Sequence, residues 1–210
     1  MNDTTPPPLV LACGALAGDL RAVLDASDFA PHLDVEYLPA HLHNRPDDIA
    51  RTLRPRLQAA FDAGRPVFIA YADCGTGGGL DTLLGEFPGV QRLPGAHCYE
   101  VFAGSASFAM LHEQELGTFY LTDFLAKHFD ALVWSGLGLD RHPELRGTYF
   151  GQYRRVVLLS QSADPGTVAH AQAAANRLGL EFVHHPTGRN GLRVPLLTFA
   201  GDPAHHAAAR

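Results

Sequence analysis

Three cysteines are the residues of this sequence best suited to chemistry, and each lies beside a short apolar segment. Cys13 ends the first predicted strand, Cys74 follows the third, and Cys98 lies next to His97 beside a fourth. The carboxyl ends of parallel strands meet at one edge of a sheet, where ligands bind, so we expect the three thiols to converge there. Thiolates with an adjacent imidazole are ligands suited to zinc or iron.

Two kinds of metal site fit these residues. A mononuclear site would use Cys74, Cys98 and His97, completed by Cys13 or Glu100, and would leave a position open for water or a substrate thiol. Alternatively, the three cysteines could hold three irons of a [4Fe–4S] cluster whose fourth iron binds substrate. The sequence has no Cys-x-x-Cys, so neither site is predicted from a zinc-finger or ribbon motif.

A metal-free site is the other interpretation of the same stretch. Cys74 would be a nucleophile with Asp73 and His97 as polar partners, and the amides of Gly75–Gly79 would stabilise an anion. The turn residues expected to contact a bound group are Gly75, Thr76, Gly77 and Gly78. The turn lacks the Gly-Lys-Ser/Thr ending of a P-loop, and no Gly-x-Gly-x-x-Gly follows the first strand, so ATP and dinucleotide sites are disfavoured.

A loop after the second predicted strand adds polar candidates. His41 and His43 face the same way in an extended segment and could act on a substrate or complete a metal site. Arg45 is a candidate anion clamp. The chain has 12 histidines, and for most of them solvation is the ordinary interpretation.

Composition limits the function classes. The chain has 210 residues, is 46% hydrophobic and carries a formal net charge of -6. Its one lysine is Lys127 and its arginines are scattered, which disfavours nucleic-acid binding. No apolar run approaches the ~20 residues of a membrane span. The amino terminus lacks the pattern of a signal peptide, so we expect a cytoplasmic protein with reduced thiols.

Strand and helix patterns alternate along residues 9–200, between a lead-in at 1–8 and a tail at 201–210. This alternation predicts one three-layer α/β domain of Rossmann-like type, with a mostly parallel sheet flanked by helices. A candidate internal repeat relates Leu9–Pro46 to Val156–Gly191. The predicted strands are Leu9–Ala15, Leu33–Leu38, Pro66–Tyr71, Arg155–Ser160, Leu180–His184 and Leu192–Phe199.

The helical patterns have clearer boundaries than the strands. Asp164 is a predicted N-cap with Pro165 at the first helical position, and Thr118 is a candidate N-cap for the helix after it. The predicted helices are Leu16–Ala26, Asp47–Ala63, Asp81–Glu86, Phe108–Glu115, Phe119–Phe129 and Pro165–Leu178. Cys98–Phe102 and Ala131–Trp134 fit either a strand or a helix.

Several motifs together resemble a bacterial and archaeal family, the domain of unknown function DUF1638. They are Ala12–Ala15, Leu42–Pro46, Tyr71–Gly77, His97–Glu100, Gly117–Asp123 and Tyr149–Tyr153. The resemblance extends over roughly residues 9–197 and implies an association with corrinoid-dependent methyl transfer. Zinc methyltransferases that act on thiols use a His/Cys/Cys site. In this sequence His97 and Cys98 are adjacent and the other cysteines come earlier, which differs from the spacing in those enzymes. The resemblance to their zinc site therefore extends only to the types of ligand.

The favoured hypothesis is a cytoplasmic enzyme with a Cys/His metal site, zinc or iron, that transfers a methyl (alkyl) group or activates a thiol of a small-molecule substrate. The alternatives are a three-cysteine [4Fe–4S] enzyme, a metal-free thiol enzyme using Cys74, and a non-catalytic corrinoid- or metal-binding accessory protein. Each alternative with a corrinoid implies a partner protein of a methyltransferase system. None implies a nucleic acid or a membrane.

Overall fold

Two parallel sheets flanked by helices form the framework of the protein, which confirms the predicted α/β class. The computed structural model describes residues 6–27, 33–162 and 164–201; most of the predicted lead-in and tail lies outside these ranges. The chain forms two compact units, unit 1 comprising 1–101 and 190–210, and unit 2 comprising 102–189. The strands that the sequence pattern placed in one sheet are thus divided between two.

Unit 1 contains a four-stranded parallel sheet with the strand order β2-β1-β3-β4. Its strands are β1 Leu9–Cys13, β2 Asp34–Leu38, β3 Val67–Ala70 and β4 Gln91–Arg92. Its helices are α1 Ala17–Asp25, α2 Asp47–Asp62, α3 Gly79–Leu84, α4 Cys98–Ala103, whose last two residues are counted in unit 2, and α9 Asn190–Ala200. Every residue of β1 is buried, as expected for a central strand covered on both faces.

Helix α2 of unit 1 buries one apolar face. In α2, Ile49, Leu53, Leu57 and Ala60 are buried, and their spacing of three or four residues places them on one side of the helix. Asp47 and Asp48 lie in its first turn, where the partial positive charge of the helix end favours carboxylates. The predicted helix over these residues is confirmed.

Unit 2 contains a three-stranded parallel sheet with the order β5-β6-β7. Its strands are β5 Thr118–Thr122, β6 Arg155–Ser160 and β7 Glu181–Pro186. Its helices are α5 Ser105–Gln114, α6 Asp123–Lys127, α7 Arg146–Phe150 and α8 Pro165–Leu178, with a π-helical turn at Asp130–Trp134. As predicted, the Asp164 side chain accepts hydrogen bonds from the amides of Gly166 and Thr167 at the start of α8.

Two predicted elements are wrong. Residues 118–122 form β5 and only 123–127 are α-helical, so Thr122, and not Thr118, is the N-cap; threonine and aromatic residues favour a strand here. The predicted last strand, Leu192–Phe199, lies within helix α9. Its buried residues Leu192, Leu196 and Phe199 follow helical spacing, but a short apolar run fits a buried strand equally well. The two-residue strand β4 was too short to predict.

A buried carboxylate connects the carboxyl ends of β5 and β6 in unit 2. The Asp123 side chain is 6% exposed and accepts hydrogen bonds from the amides of Gln161 and Ser162 and from the Ser162 hydroxyl, at 3.2, 2.8 and 2.5 Å. In return the Gln161 side-chain oxygen accepts from the Asp123 amide at 2.9 Å. This network fixes the two strand ends relative to each other.

We expect Asp123→Ala to lower the free energy of unfolding of unit 2 by at least about 3 kcal/mol, because three donors lose a charged acceptor and two of the residues involved are buried. Urea unfolding followed by fluorescence measures the effect, since the single tryptophan, Trp134, lies in unit 2. Asp140→Ala, which removes an exposed carboxylate 3.8 Å from Arg141, is the matched control and should change stability by less than about 0.5 kcal/mol. Equal effects of the two changes would contradict this account.

Candidate functional site

Cys13 lies where β1 ends at the carboxyl edge of the unit 1 sheet. The register pairs Ala12 with Ala70, so Cys13 and Tyr71 are the next residues along two neighbouring strands. Gly14 follows, and a Cβ at this glycine would lie 2.7 Å from the Leu38 carbonyl oxygen. The absence of a side chain therefore allows the chain to leave β1 in close contact with the end of β2.

Cys74 is held in an unusual backbone conformation in the turn after β3. Its φ is +51°, and among the described residues it is the one non-glycine residue with positive φ. The amide of Asp73 donates to the Gly95 carbonyl at 3.1 Å, and the amide of Cys74 donates to the Ala96 carbonyl at 2.8 Å. These bonds tie the turn after β3 to the loop that leads into Cys98.

Cys98 is the first residue of α4, and it completes a group of three neighbouring thiols. Burial, and after it the neighbouring Cys13, raises the pKa of Cys74 to about 11. Burial also raises the pKa of Cys98, followed by the effects of Cys74 and Cys13. All three cysteines are free, with Cys13 buried and the other two partly buried. Cys13 and Cys74 thus follow neighbouring strands, and Cys98 follows the loop bonded to the turn of Cys74, but Cys98 begins a helix and does not end a strand. Convergence of the three thiols on one point stays a prediction.

Tyr71 adds a hydroxyl that the sequence prediction missed. Its side chain is 2% exposed, and its hydroxyl is a hydrogen-bonding neighbour of the Cys13 thiol, although the contact falls short of regular hydrogen-bond geometry. Burial raises the pKa of this phenol, and the Cys13 and Cys74 thiols raise it further, which places the phenol beside them. A tyrosine that ends an apolar strand next to a cysteine is the signal that could have identified it.

The profile of one family matches residues 37–194, and its description is "Protein of unknown function (DUF1638)". The chain belongs to the DUF1638 family. The matched region contains Tyr71, Cys74 and Cys98, whereas Cys13 precedes it. A search of curated proteins gives no match.

The glycine-rich turn of this DUF1638 chain is stabilised by its own carboxylate. Asp73 accepts hydrogen bonds from the Thr76 hydroxyl at 2.5 Å and from the amides of Gly77 and Gly78 at 3.1 and 3.0 Å. The amides of these two glycines therefore already hold an anion, which does not match the predicted role of the turn in binding a ligand's anion. Gly75 is exposed in the same turn, and its predicted contact with a bound group stays a prediction.

The other two predicted ligands lie in the loop and first turn around Cys98. The Glu100 carboxylate accepts a hydrogen bond from the Ala96 amide at 2.8 Å, so it helps to fix the loop before the helix. His97 is exposed, and its ring centroid lies 6.4 Å from that of Tyr99. Metal ligation by His97 and Glu100 stays a prediction.

The histidine loop lies in a 3₁₀ turn at Ala40–Asn44, with Leu42 buried. Loss of solvation, and after it the neighbouring His97, lowers the pKa of His43. His97 is therefore near enough to affect His43, and a shared site stays a prediction. The predicted extended loop is wrong, because residues i and i+2 of a 3₁₀ turn do not face the same way. Arg45 is exposed directly after this turn, and its proposed anion contact is a prediction.

Within the described ranges, no three histidine, cysteine, aspartate or glutamate side chains are already arranged to hold a metal ion. The donor types nevertheless suit one, because cysteine thiolates are ligands for zinc and iron. A protonated thiol is a weak partner for its neighbours, whereas a thiolate is a strong ligand. Cation binding would thus depend on ionisation and reorientation of these thiols.

A separate pocket of about 460 Å³ lies at the amino ends of β1 and β3, and its lining includes Leu9, Arg56 and Arg65. Both arginines are paired, with Glu36 and Asp34. Ligands of parallel α/β sheets bind at the carboxyl ends of strands. The cysteine group, and not this pocket, is therefore the candidate site.

Replacing Cys74 by glycine and by alanine separates backbone strain from loss of the thiol. Both changes remove the sulfur, but only glycine adopts a positive φ without a steric penalty. We expect Cys74→Gly to be more stable than Cys74→Ala by about 1 kcal/mol, measured by urea unfolding. At Cys98, which begins a helix, the alanine variant should be more stable than the glycine variant. Equal stabilities at position 74 would show that the turn is not strained.

The Asp73 carboxylate predicts a pH dependence of stability. The Thr76 hydroxyl, followed by the Gly78 and Gly77 amides, lowers the pKa of Asp73 below its ordinary value of 3.8, against a smaller opposing effect of burial. A lowered pKa in the folded state stabilises the fold above the unfolded value, and this stabilisation is lost as the pH falls through the folded value. Asp73→Asn should therefore lower the melting temperature at pH 7, and the difference from the unmodified protein should shrink below about pH 4. A difference independent of pH would contradict the role of this carboxylate.

Proposed function

We propose that the chain is an enzyme that binds a transition metal, zinc or iron, through Cys13, Cys74 and Cys98 and that transfers a methyl (alkyl) group to or from a small-molecule thiol. The observation that supports this most directly is that Cys13 and Cys74 follow neighbouring parallel strands at their carboxyl ends, while Cys98 follows the loop whose carbonyls accept hydrogen bonds from the Asp73 and Cys74 amides. Such an edge is the usual place for a ligand in this fold class.

The chemistry of the thiols favours a metal over an unassisted nucleophile. A nucleophilic cysteine needs a lowered pKa, whereas burial raises the pKa of Cys74 to about 11. Arg92, which lies near this cysteine, already forms two hydrogen bonds with Asp81, at 2.6 and 2.9 Å. Three clustered thiols of this kind ionise together only when a cation offsets their mutual repulsion.

Metal binding in this proposal requires only local changes. A cysteine side chain has one torsion between its backbone and its sulfur, so a change of rotamer can redirect each thiol without moving a strand. The backbone bonds of Asp73 and Cys74 to Gly95 and Ala96 keep two of the ligand-bearing segments in place. Loss of one proton from each bound thiol makes the affinity depend on pH.

The residues around the thiols suit a reaction that excludes water. Ala12, Ala70 and Ala72 are at most 1% exposed, while the partial exposure of Cys74 and Cys98 leaves access from one side. When bound, the metal would act as a Lewis acid that lowers the pKa of a substrate thiol. The substrate sulfur would then bond to the methyl carbon while the bond from that carbon to its carrier breaks, and the carrier would keep the electron pair.

The carrier in this proposal is a methylated corrinoid, supplied by a partner protein of a methyltransferase system. A three-cysteine site is compatible with the reducing conditions of the cytoplasm, where thiols stay free. Among the described residues, no helix has the length and apolar character needed to cross a membrane. A non-catalytic role, in which the chain holds the corrinoid or its metal for that partner, is an outcome of the experiment below.

The experiment is metal analysis and visible spectroscopy of anaerobically purified protein. We expect about one equivalent of zinc or iron, since three thiolates are a strong ligand set for either metal. Cys13→Ser, Cys74→Ser and Cys98→Ser should each lower the metal content. A broad visible absorbance with several irons per chain would indicate the cluster instead of the mononuclear site.

His142→Ala is the matched control, because His142 is an exposed histidine that pairs only with Glu144 among the contacts seen in the structure. Its metal content should equal that of the unmodified protein. Less than about a tenth of an equivalent of metal, unaffected by Cys74→Ser, would overturn the proposal. Metal-loaded protein that retains a corrinoid but transfers no methyl group from it to a thiol would show the accessory role.

A further inference from the structure

We propose that Arg92 is a positioning residue of the cysteine site, because its guanidinium group holds the loop that leads into Cys98 in place beside the turn that carries Cys74. This inference rests on the proposed function, since it treats these two segments as parts of one site. Arg92 is not a ligand of the metal in this proposal. It fixes backbone groups of the loop before any ligand binds.

Arg92 connects helix α3 with the loop after β4. Its Nε and Nη2 donate hydrogen bonds to the two carboxylate oxygens of Asp81, at 2.6 and 2.9 Å. Its Nη1 donates to the carbonyl oxygens of Leu93 and Gly95, at 2.7 and 3.2 Å. A guanidinium is planar and rigid, so bonds made by all three of its nitrogens fix the loop relative to the helix. The side chain is only 18% exposed, which limits competition by water for these donors.

The same loop is bonded to the turn that carries Cys74. The Gly95 carbonyl oxygen, which accepts from Arg92, also accepts from the Asp73 amide at 3.1 Å. The next carbonyl oxygen, that of Ala96, accepts from the Cys74 amide at 2.8 Å. One carbonyl group therefore joins the guanidinium to the turn. A shift of this carbonyl would move the segment before Cys98 relative to Cys74.

Gly95 makes the path of this loop dependent on its hydrogen-bond partners. Its φ is +90°, and a Cβ at this position would lie 2.8 Å from a carboxylate oxygen of Glu100, so the observed path requires glycine. Glycine also has the greatest conformational freedom when nothing restrains it. The bonds from Arg92 and Asp73 to the Gly95 carbonyl therefore select one conformation of the loop from several that its sequence permits.

The test compares Arg92→Lys with Arg54→Lys. Lysine keeps the positive charge, but its single ammonium group cannot reproduce the planar set of bonds to a carboxylate and two carbonyls. Arg54 is the matched control, because it also forms two hydrogen bonds with one carboxylate of unit 1, that of Glu86, both at 2.6 Å. Among the contacts seen in the structure, Arg54 bonds to neither cysteine-bearing segment.

Cobalt(II) is the probe of the site, since thiolate ligands give it intense charge-transfer absorbance. We expect Arg92→Lys to bind cobalt about tenfold more weakly than the unmodified protein, as for other groups that orient metal ligands, and to show a changed charge-transfer band. Arg54→Lys should equal the unmodified protein in both quantities. Asp81→Asn, which removes the charge that anchors the guanidinium, should also weaken cobalt binding, and it decides the question if Arg92→Lys does not fold.

A role of Arg92 in stability alone predicts a different result. Arg92→Lys would then lower the melting temperature of the metal-free protein, while the cobalt affinity and the charge-transfer band of the folded protein would stay unchanged. That result, or cobalt binding by Asp81→Asn equal to that of the unmodified protein, would overturn this inference and leave the proposed function standing. If the unmodified protein shows no thiolate charge transfer with cobalt, the proposed function fails and this inference fails with it.

Discussion

Two backbone hydrogen bonds determine the candidate site, because they join the turn after β3 to the loop after β4. The amides of Asp73 and Cys74 donate to the carbonyls of Gly95 and Ala96, which places Cys74 near Cys98 although 24 positions separate them in the sequence. The geometry that permits these bonds puts Cys74 at positive φ. Strained positions of this kind persist only where the surrounding structure holds them, and they are frequent at functional sites.

The second constraint is the burial of the three cysteine thiols. Burial raises the pKa of Cys13, Cys74 and Cys98. Cys13 raises the pKa of Cys74 further, and Cys74 and Cys13 raise that of Cys98 further. Burial favours the neutral forms of these thiols. In the proposed function, a bound metal would supply the positive charge that turns the same thiols into thiolate ligands.

Much of this arrangement follows from local sequence signals, and the rest depends on contacts between distant residues. The strands at Leu9–Cys13 and Arg155–Ser160 are short apolar runs, and α8 has an N-cap and a terminal glycine, so their patterns are unambiguous. Residues 118–122 and 190–200 are apolar with mixed periodicity, so burial against neighbouring elements decides their state. The hydrogen bonds from the Gly77 and Gly78 amides to Asp73 form only in the folded turn, so the glycine-rich sequence alone does not predict them.

X-ray absorption at the metal edge tests the central claim most directly, because the fine structure counts the sulfur atoms bound to the metal. For protein loaded with one metal, the account predicts three sulfur neighbours at about 2.3 Å, falling to two in each of Cys13→Ser, Cys74→Ser and Cys98→Ser. A first shell of nitrogen and oxygen alone, unchanged in all three variants, would contradict it.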